Sequence, residues 1–203
     1  MEKASTAVFD VGKVLIDFDQ RNLYRTVFPD PVRMEWFLAE VCSPDWTLEL
    51  DRGRPFADAI AERINRYPEL TEEIRLYDLR WMDILIGPIE GSVELLQRLH
   101  RNNVDLFCIT NFPADKFEKA KAIFPFLDLF KGAIVSGREK LVKPDEAIFR
   151  LLLDRYGLSA RGCLFIDDVK ANVEAARKVG MHGHHFQNPC MLARELKRHE
   201  FPL

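Results

Sequence analysis

Five short apolar runs bounded by turn residues divide the chain, and each predicts a strand buried inside a sheet. They span residues 6–10, 104–110, 132–136, 163–166 and 182–186. Between most of them, apolar residues recur three or four positions apart, which is typical of the inner faces of amphipathic helices. Strands that alternate with such helices favour an α/β fold, with a parallel sheet and helices on both of its faces.

The helices of this alternating pattern have recognisable features. Gly91-Ser92 opens the first, and Phe117 marks the inner face of the second. Pro144 suits the first turn of the third helix. The backbone N–H that proline lacks would have no hydrogen-bond partner within the helix at this position. Gly180 closes the fourth helix, and residues 191–196 predict the last one.

The stretch 21–86 has a different pattern of apolar residues and predicts a helical insertion. Its apolar residues recur at helical spacing, no alternating strand pattern stands out, and Pro55 and Thr71 are suited to start helices. The stretch also holds all three tryptophans. Residues 11–20, which precede it, predict a structured turn that leaves the sheet.

Composition narrows the range of partners. The chain has 203 residues, of which 47% are hydrophobic and 30% charged, and its formal net charge at pH 7 is -3. This is an ordinary globular composition, and the lack of a basic excess argues against nucleic acid as a partner. The four cysteines form no close pair, which argues against a zinc or redox motif and favours a reducing compartment.

The same features predict a cytoplasmic location. The first residues lack the apolar core of a secretory signal peptide. No run approaches the roughly 18 apolar residues of a membrane span, so no membrane partner is expected. The sequence leaves open whether the protein is a monomer or a homodimer.

Polar residues stand at the carboxyl ends of three predicted strands. Asp10 ends the first, Thr110-Asn111 the second and Asp167-Asp168 the fourth, while Lys143 directly precedes Pro144. Strand ends of a parallel sheet share one edge, and ligands of such sheets bind there. Each residue alone also fits a plain role as turn former, helix cap or solvated lysine. Together they favour an active site.

The chemistry that this set can perform is narrow. The carboxylates of Asp10 and Asp167-Asp168 repel one another unless a cation or a shared proton neutralises them, and their oxygens suit Mg2+. Lys143 can pair with a carboxylate and a phosphate oxygen, and Thr110-Asn111 can hold other phosphate oxygens. Asp10 is then a candidate nucleophile that forms an aspartyl-phosphate, which water hydrolyses. These residues predict phosphoryl transfer from a small phosphorylated substrate.

Four stretches resemble, in order and spacing, the motifs of the haloacid dehalogenase-like hydrolases. They are Phe9-Asp10-Val11-Gly12-Lys13-Val14-Leu15, Ile109-Thr110-Asn111, Lys143-Pro144-Asp145 with Ile148-Phe149, and Phe165-Ile166-Asp167-Asp168 followed by Asn172-Val173-Glu174-Ala175-Ala176. The resemblance covers essentially the whole chain. Within the family, the sequence is most similar to a small bacterial group with a helical cap between the first two motifs, one member type of which is an α-glucose-1-phosphate phosphatase.

The resemblance implies a Rossmann-like core of residues 1–18 and 88–203, and an all-helical cap of residues 19–87 that closes over the site and selects the substrate. It also assigns roles to individual residues. The nucleophile would be Asp10, and Mg2+ would be bound by Asp10, the Gly12 carbonyl and Asp168, with Asp167 also near the ion. Thr110 and Asn111 would hold the phosphate, Lys143 would pair with both Asp10 and the phosphate, and Asn172 would brace the metal loop.

Gly12 is the important departure from the pattern of the family's phosphatases. Many of them have a second Asp at this position as general acid and base, a group worth about 10²–10⁴-fold in rate. Dehalogenases of the family also lack it, so a metal-independent 2-haloacid dehalogenase is an alternative. Those enzymes typically have an aromatic residue at this position and lack paired acids such as Asp167-Asp168. The glucose-1-phosphate group shares the glycine, so a phosphatase of sugar phosphates is the leading hypothesis.

Four further residues are weaker candidates. Lys13 is expected to face solvent, with the phosphate as its alternative partner, and Asp17 or Asp19 is an alternative proton donor. Arg52 lies in a charged turn that would suit an anionic substrate or a solvated loop. The missing acid at Gly12 also leaves a third reading, a non-catalytic regulatory protein on a hydrolase scaffold.

Overall fold

The computed structural model describes residues 3–203. The strands in this part of the chain are β1 (Thr6–Phe9), β2 (Ile16–Phe18), β3 (Leu85–Pro88), β4 (Asp105–Thr110), β5 (Gly132–Val135), β6 (Cys163–Asp167) and β7 (His182–His185). The helices that precede β4 are α1 (Gln20–Tyr24), α2 (Pro31–Trp36), α3 (Pro44–Asp51), α4 (Phe56–Arg66), α5 (Thr71–Leu79) and α6 (Glu90–Arg101). Those that follow β4 are α7 (Ala114–Ile123), α8 (Ser136–Glu139), α9 (Glu146–Tyr156), α10 (Lys170–Lys178) and α11 (Pro189–Arg198).

Five strands form one parallel sheet in the order β5-β4-β1-β6-β7, which confirms the predicted α/β fold. β1 lies at its centre, and Phe9 pairs with Cys108 of β4 and Ile166 of β6. This register brings the residues that follow the three strands to one edge of the sheet. The chain therefore places Asp10 between the ends of β4 and β6.

Apolar side chains of the strands alternate between the two faces of the sheet, because successive residues of a strand point in opposite directions. Phe9 belongs to a buried cluster that includes Leu96 of α6 and Leu192 of α11. Val8 belongs to a second cluster, with Phe149 of α9 and Ala176 of α10. Helices thus cover both faces, as the alternating sequence pattern predicts.

The insertion between β2 and β3 is helical, as predicted, and contains α1 to α5 with short 3-10 and π segments. We call residues 19–84 the helical insertion. Its buried side chains, such as Trp46 and Ile74, belong to the same cluster as Phe9 of the central strand. The insertion is therefore packed onto the sheet domain through a continuous apolar core.

Two details of the predicted elements are wrong. β2 and β3 form an antiparallel pair at the base of the insertion, where a turn and helices were expected. Their three and four residues are too few to generate a recognisable alternation. Pro144 also lies outside the helix that it was expected to start. The Asp145 carboxylate accepts a hydrogen bond from the Ala147 N–H at 2.9 Å, so Asp145 is the N-cap and α9 begins at Glu146.

Polar contacts hold the helical insertion against the rest of the protein. The buried ammonium of Lys116 on α7 donates to the carboxylate of Asp78 on α5 at 2.5 Å. The Ser136 hydroxyl donates to the backbone oxygen of Asp51 at 2.5 Å. The Lys140 ammonium donates to the backbone oxygen of Gly53 at 2.8 Å. The C-terminal end of α3 is therefore fixed in place by the core.

Gly53→Ala should destabilise the protein more than the same substitution at another glycine with a positive φ. Gly53 has a φ of +91°, and an added Cβ would lie 2.5 Å from the Gly137 backbone oxygen. Backbone strain and steric overlap together should lower the free energy of unfolding by about 2–4 kcal/mol. Gly157→Ala is the control, since its φ is +63° but nothing lies within 4 Å of the added carbon. Strain alone predicts a loss of about 1 kcal/mol there. Equal losses in urea denaturation would contradict tight docking at Gly53.

Among residues 3–203, no helix combines the length and the apolar character that crossing a lipid bilayer requires. The four cysteines are all free, and Cys42, Cys108 and Cys163 are buried. Burial raises the pKa of the Cys108 thiol to about 12, so this thiol is neutral and packs as a small apolar group.

Candidate active site

Asp10 lies at the end of the central strand and is 7% exposed. Its N–H donates to the Ile166 carbonyl at 2.8 Å, which continues the pairing of β1 with β6 by one residue. The carboxylate oxygen Oδ1 accepts from the Val11 N–H at 2.7 Å. A backbone contact with β6 and a contact with the next residue of the chain therefore fix the position of this acid.

Lys143 is the cationic centre of the site and is 3% exposed. Its Nζ lies 2.8 Å from Oδ1 of Asp10 and 2.6 Å from Oδ2 of Asp167. The Val11 N–H and Lys143 Nζ both contact Oδ1 of the Asp10 carboxylate. Oδ2 is therefore the oxygen available to attack a phosphorus atom.

Asp167 is fully buried and holds the site together. Its carboxylate accepts from Nδ2 of Asn172 at 3.0 Å and from the Val169 N–H at 2.7 Å, in addition to its contact with Lys143. Asn172 lies on α10 and thereby ties the end of β6 to the helix that follows it. The bracing role that the family resemblance implies for Asn172 stays a prediction, and the structure places its amide against the Asp167 carboxylate.

The pKa values of Asp10, Asp168 and Lys143 are all raised above their ordinary values, by burial for the two acids and by neighbouring charges for the lysine. Burial raises the pKa of Asp10 to about 7, although the Lys143 charge opposes the shift. Burial also raises the pKa of Asp168, and the nearby Asp167 carboxylate adds to the increase. For Lys143, burial acts to lower the pKa, but Asp10 and Asp167 outweigh it and hold the pKa above its ordinary value. Lys143 is therefore a permanent cation at neutral pH.

The side chain of Asn111 positions Lys143. Its Oδ1 accepts from the Lys143 N–H at 2.8 Å, and its Nδ2 donates to the Lys143 carbonyl at 3.1 Å. The amide is thus engaged with the backbone of Lys143, a contact that the sequence does not predict. Thr110 is buried next to it at the end of β4.

Three carboxylates at the sheet edge fit a divalent cation. Asp10, Asp167 and Asp168 each offer an oxygen, and these oxygens lie within 4.8 Å of one another. An all-oxygen set of this charge is the donor set that Mg2+ prefers. The ring atom Nε2 of His185 lies 2.9 Å from the Asp168 backbone oxygen and supports the loop that carries this acid. Sequence reasoning missed His185, because the ends of β6 and β7 meet only in the folded sheet.

A cavity of about 160 Å³ lies next to these groups, between the helical insertion and the sheet edge. Most of the side chains around it are apolar or aromatic, and a few are polar. They are Ile16, Phe18, Gln20, Thr47, Asp51, Tyr77, Trp81, Ile84, Leu85, Asn111 and Phe112, together with Gly12. The cavity joins the residues that follow β1 and β4 to side chains from α1, α3 and α5.

The weaker sequence candidates lie outside this cavity. Lys13 pairs with Asp17 at 2.6 Å, and both side chains are about two-fifths exposed. Asp19 caps α1 by accepting from the Arg21 N–H. Arg52 is exposed, and it borders a separate shallow cavity with Glu49 and Lys140.

Asp51 is a second polar residue that sequence reasoning missed. It ends α3, directly before Arg52, and its side chain lines the cavity that Gly12 also lines. Burial raises the pKa of Asp51 to about 7, and the Lys143 charge opposes the shift. The signal in the sequence is the turn Asp51-Arg52-Gly53-Arg54, where an acid precedes two cations.

Comparison with known proteins shows the family of the chain. Residues 4–180 match the family model of the haloacid dehalogenase-like hydrolases. A sesquiterpene phosphatase of Aspergillus oryzae is 26% identical over 192 residues, which cover 95% of this chain and 94% of that protein.

Solved structures share the fold. A haloacid dehalogenase family enzyme from Bacteroides thetaiotaomicron, crystallised with magnesium and inorganic phosphate, superposes with a TM-score of 0.75 at 19% identity, covering 91% of this chain and 95% of that one. An L-2-haloacid dehalogenase from Xanthobacter autotrophicus superposes with a TM-score of 0.63 at 18% identity, covering 98% and 84%. With four ordered motifs, a site built from them and a family model that spans most of its length, the chain belongs to the haloacid dehalogenase-like hydrolases.

Proposed function

We propose that the protein is a Mg2+-dependent phosphomonoesterase that acts on small phosphorylated metabolites. The observation that carries this proposal is the cluster of three carboxylates around one buried lysine, close in the chain to Gly12 and Asn111, which line a cavity. A dianionic phosphate ester needs cations at the reacting centre, and the cluster attracts one metal ion besides Lys143. The sesquiterpene phosphatase that matches 95% of the chain supports the same reaction class.

The bond changes follow from the arrangement of Asp10 and Lys143. The free oxygen of Asp10 attacks phosphorus, the ester P–O bond breaks, and an aspartyl-phosphate forms. Water then attacks this intermediate, the P–O bond to Asp10 breaks, and inorganic phosphate leaves. Lys143 holds the reacting carboxylate through Oδ1 and supplies a positive charge close to the phosphoryl oxygens. Thr110 and Asn111 are proposed to border the phosphate.

Asp10, Asp168 and the Gly12 carbonyl would hold Mg2+, with Asp167 close to the ion. A bound Mg2+ supplies charge neutralisation for the phosphoryl oxygens. In its absence, burial raises the pKa of Asp10 to about 7 and thereby disfavours the ionised, nucleophilic form of this carboxyl. Asp167 has its oxygens occupied by Lys143, Asn172 and Val169, so its proposed role is to fix the positions of its neighbours.

We also propose that residues 19–87 act as a cap that selects the substrate. Trp81, Tyr77 and Ile84 of this segment line the cavity, so they would contact the organic part of a bound ester. A sugar phosphate, the class that the sequence favours, would find a few hydrogen-bonding partners, such as Gln20 and Thr47. The apolar majority of the lining supports an ester whose organic group is apolar or aromatic more strongly.

A substrate panel with and without magnesium tests the proposed function. We expect phosphate release from p-nitrophenyl phosphate, and from 2-phenylethyl phosphate in preference to glucose 1-phosphate. Release should fall to the background rate when a chelator removes the metal. Phosphate release that is unaffected by the chelator would contradict the assigned role of the three carboxylates.

The alternative activity is hydrolysis of 2-haloacids without a metal. Gly12 motivates it, since a carboxyl is absent from that position, and so does the fold shared with an L-2-haloacid dehalogenase. It predicts chloride release from 2-chloropropionate in the presence of the chelator. The non-catalytic alternative predicts neither product and no phosphorylation of Asp10. The three carboxylates around Lys143 favour the phosphatase over both.

A further inference from the structure

We propose that Asp51 is the general acid and general base of the reaction, supplied by the helical insertion across the cavity. The inference rests on the proposed phosphatase function. It assigns to this acid the proton transfers that neither the carboxylate cluster nor Lys143 is free to make.

The breaking ester bond creates the need for such a group. When the P–O bond breaks, the leaving oxygen keeps the electron pair and requires a proton, unless its alcohol is strongly acidic. Oδ1 of Asp10 and both oxygens of Asp167 are engaged with Lys143 or nearby N–H groups, and Asp10 is itself the nucleophile. Lys143 stays protonated between these two carboxylates. The proposed function assigns Asp168 to the metal ion, so we expect the proton to come from another side chain, and Asp51 is the carboxyl among the residues that line the cavity.

Asp51 meets the geometric requirement. It lines the same cavity as Gly12 and Asn111, the neighbours of Asp10 and Thr110. Within residues 3–203, its carboxylate accepts no hydrogen bond, so both oxygens are available to a ligand. Thr47, one helical turn earlier on α3, lines the cavity as well, and so this face of the helix points at the site.

The position of Asp51 is rigid. Its backbone oxygen accepts from the buried Ser136 hydroxyl, and Lys140 donates to the backbone oxygen of Gly53 two residues later. The left-handed φ of Gly53 and its close approach to Gly137 lock the same turn. A general acid needs this fixed placement, because proton transfer depends on hydrogen-bond distance to the reacting oxygen.

The pKa of Asp51 allows its side chain both to donate a proton and to accept one near neutral pH. Burial raises its pKa to about 7, near neutral pH, where protonated and ionised forms coexist. Lys143 is the charged group that lowers this pKa, and Tyr77 is the titratable neighbour that its charge affects. Within residues 3–203, no charge on α4 or α8, the helices that pack against α3, shifts it.

The two half-reactions balance around Asp51. In the first, Asp10 bonds to phosphorus, the ester oxygen leaves with its electron pair, and the Asp51 carboxyl gives that oxygen a proton. In the second, a water oxygen bonds to phosphorus, the Asp51 carboxylate accepts the water proton, and Asp10 leaves as a free carboxylate. Asp51 ends the cycle protonated, as it began.

The space beside Gly12 is limited by the Phe18 ring. A Cβ on Gly12 would lie 3.0 Å from the Phe18 ring, so that ring would have to move by a few tenths of an ångström to admit a side chain. Phe18 also lines the cavity. An aromatic ring thus lies beside Gly12, and Asp51 of α3 lines the same cavity.

Two esters and the variant Asp51→Asn test the proposal, with purified full-length protein and Mg2+. On 2-phenylethyl phosphate, whose alcohol leaves poorly, we expect kcat to fall about 10²–10⁴-fold. On p-nitrophenyl phosphate, the first turnover needs no proton donor. A burst of p-nitrophenol should persist, followed by slow turnover and accumulation of phosphorylated Asp10. Asp45→Asn, an exposed acid on the same helix, is the matched control and should behave as the wild type.

The stability of Asp51→Asn in urea distinguishes a catalytic role of Asp51 from a structural role. Asp51 has a folded-state pKa of about 7 against an ordinary value of 3.8, so it loses stabilising free energy as the pH rises through that interval. Asp51→Asn should therefore unfold at a higher urea concentration than the wild type at about pH 8. A structural acid would give the opposite shift.

Each other outcome overturns a defined part of the proposal. Equal turnover of 2-phenylethyl phosphate by Asp51→Asn and the wild type would refute the role of Asp51 and leave the phosphatase function standing. Loss of the burst together with lower urea resistance would make Asp51 a structural residue. Failure of the wild type to release phosphate from either ester would refute the phosphatase function, and this inference with it.

Discussion

Asp10→Asn should reduce kcat for every phosphate ester by at least about 10⁴-fold, since it removes the nucleophile itself. The asparagine amide has nearly the same shape, so it can still fill the space at the end of β1. It cannot form the aspartyl-phosphate. Steady-state phosphate release with Mg2+ measures the loss, and mass spectrometry of acid-quenched protein should detect a phosphorylated Asp10 in the wild type and none in the variant.

The structure of the variant can be checked independently of its activity. Burial disfavours the ionised form of Asp10, so a neutral amide relieves a charge while weakening the contact with Lys143. These effects oppose each other, and the variant should remain folded in urea denaturation. Asp58→Asn, an exposed acid on α4, is the control and should keep wild-type kcat. An Asp10→Asn protein with ordinary turnover would refute the covalent mechanism.

The sequence could predict that Asp10, Thr110 and Asp167 are neighbours. The apolar runs mark the strands, and the carboxyl ends of parallel strands lie at one edge of the sheet. Each of them follows or ends a buried strand, and the strand ends share one edge. The structure gives Phe9 the partners Cys108 and Ile166, so the three polar residues do meet there. Chain distances of about a hundred residues do not matter when the sheet fixes the geometry.

The position of Asp51 at the cavity could not be predicted in this way, because no local sequence pattern indicates which residues the end of α3 packs against. Its place at the cavity depends on Ser136, Gly137 and Lys140, which are more than eighty residues away and leave no periodic signal. The same holds for the second hydrogen-bonding role of Asn111. The position of Asn111 at the end of a strand predicts a phosphate ligand. In the folded protein, its amide forms hydrogen bonds with the backbone of Lys143.

Pro144 illustrates competition between two local rules. A proline fits the first turn of a helix, and an aspartate fits the position before that turn. Both residues occur in sequence here, and the Asp145 cap prevails. The reason is tertiary, since Asn111 binds both backbone groups of Lys143 and holds this part of the chain out of the helix.

Lys143→Met should lower the free energy of unfolding by about 3–5 kcal/mol, because removing one member of a buried ionic cluster leaves the others uncompensated. The Asp10 and Asp167 carboxylates both lose their contact with Nζ. Urea denaturation measures the loss. Lys170→Met is the control, since Lys170 is exposed and lies 3.7 Å from Glu174. Its stability should change by no more than about 0.5 kcal/mol.

The loss in Lys143→Met should grow with pH. In the wild type, the pKa of Asp10 is raised to about 7 by burial, even though the Lys143 charge opposes the shift, so the pKa must rise further without that charge. A carboxyl with a folded-state pKa above its ordinary 3.8 loses stability as the pH rises through the interval between the two values. The deficit should therefore be larger at about pH 8 than at about pH 5. Excess Mg2+ should restore part of it, because the ion would replace the missing charge among the three carboxylates. A deficit that is independent of both pH and Mg2+ would mean that Lys143 stabilises the fold by packing, and that the carboxylates do not depend on its charge.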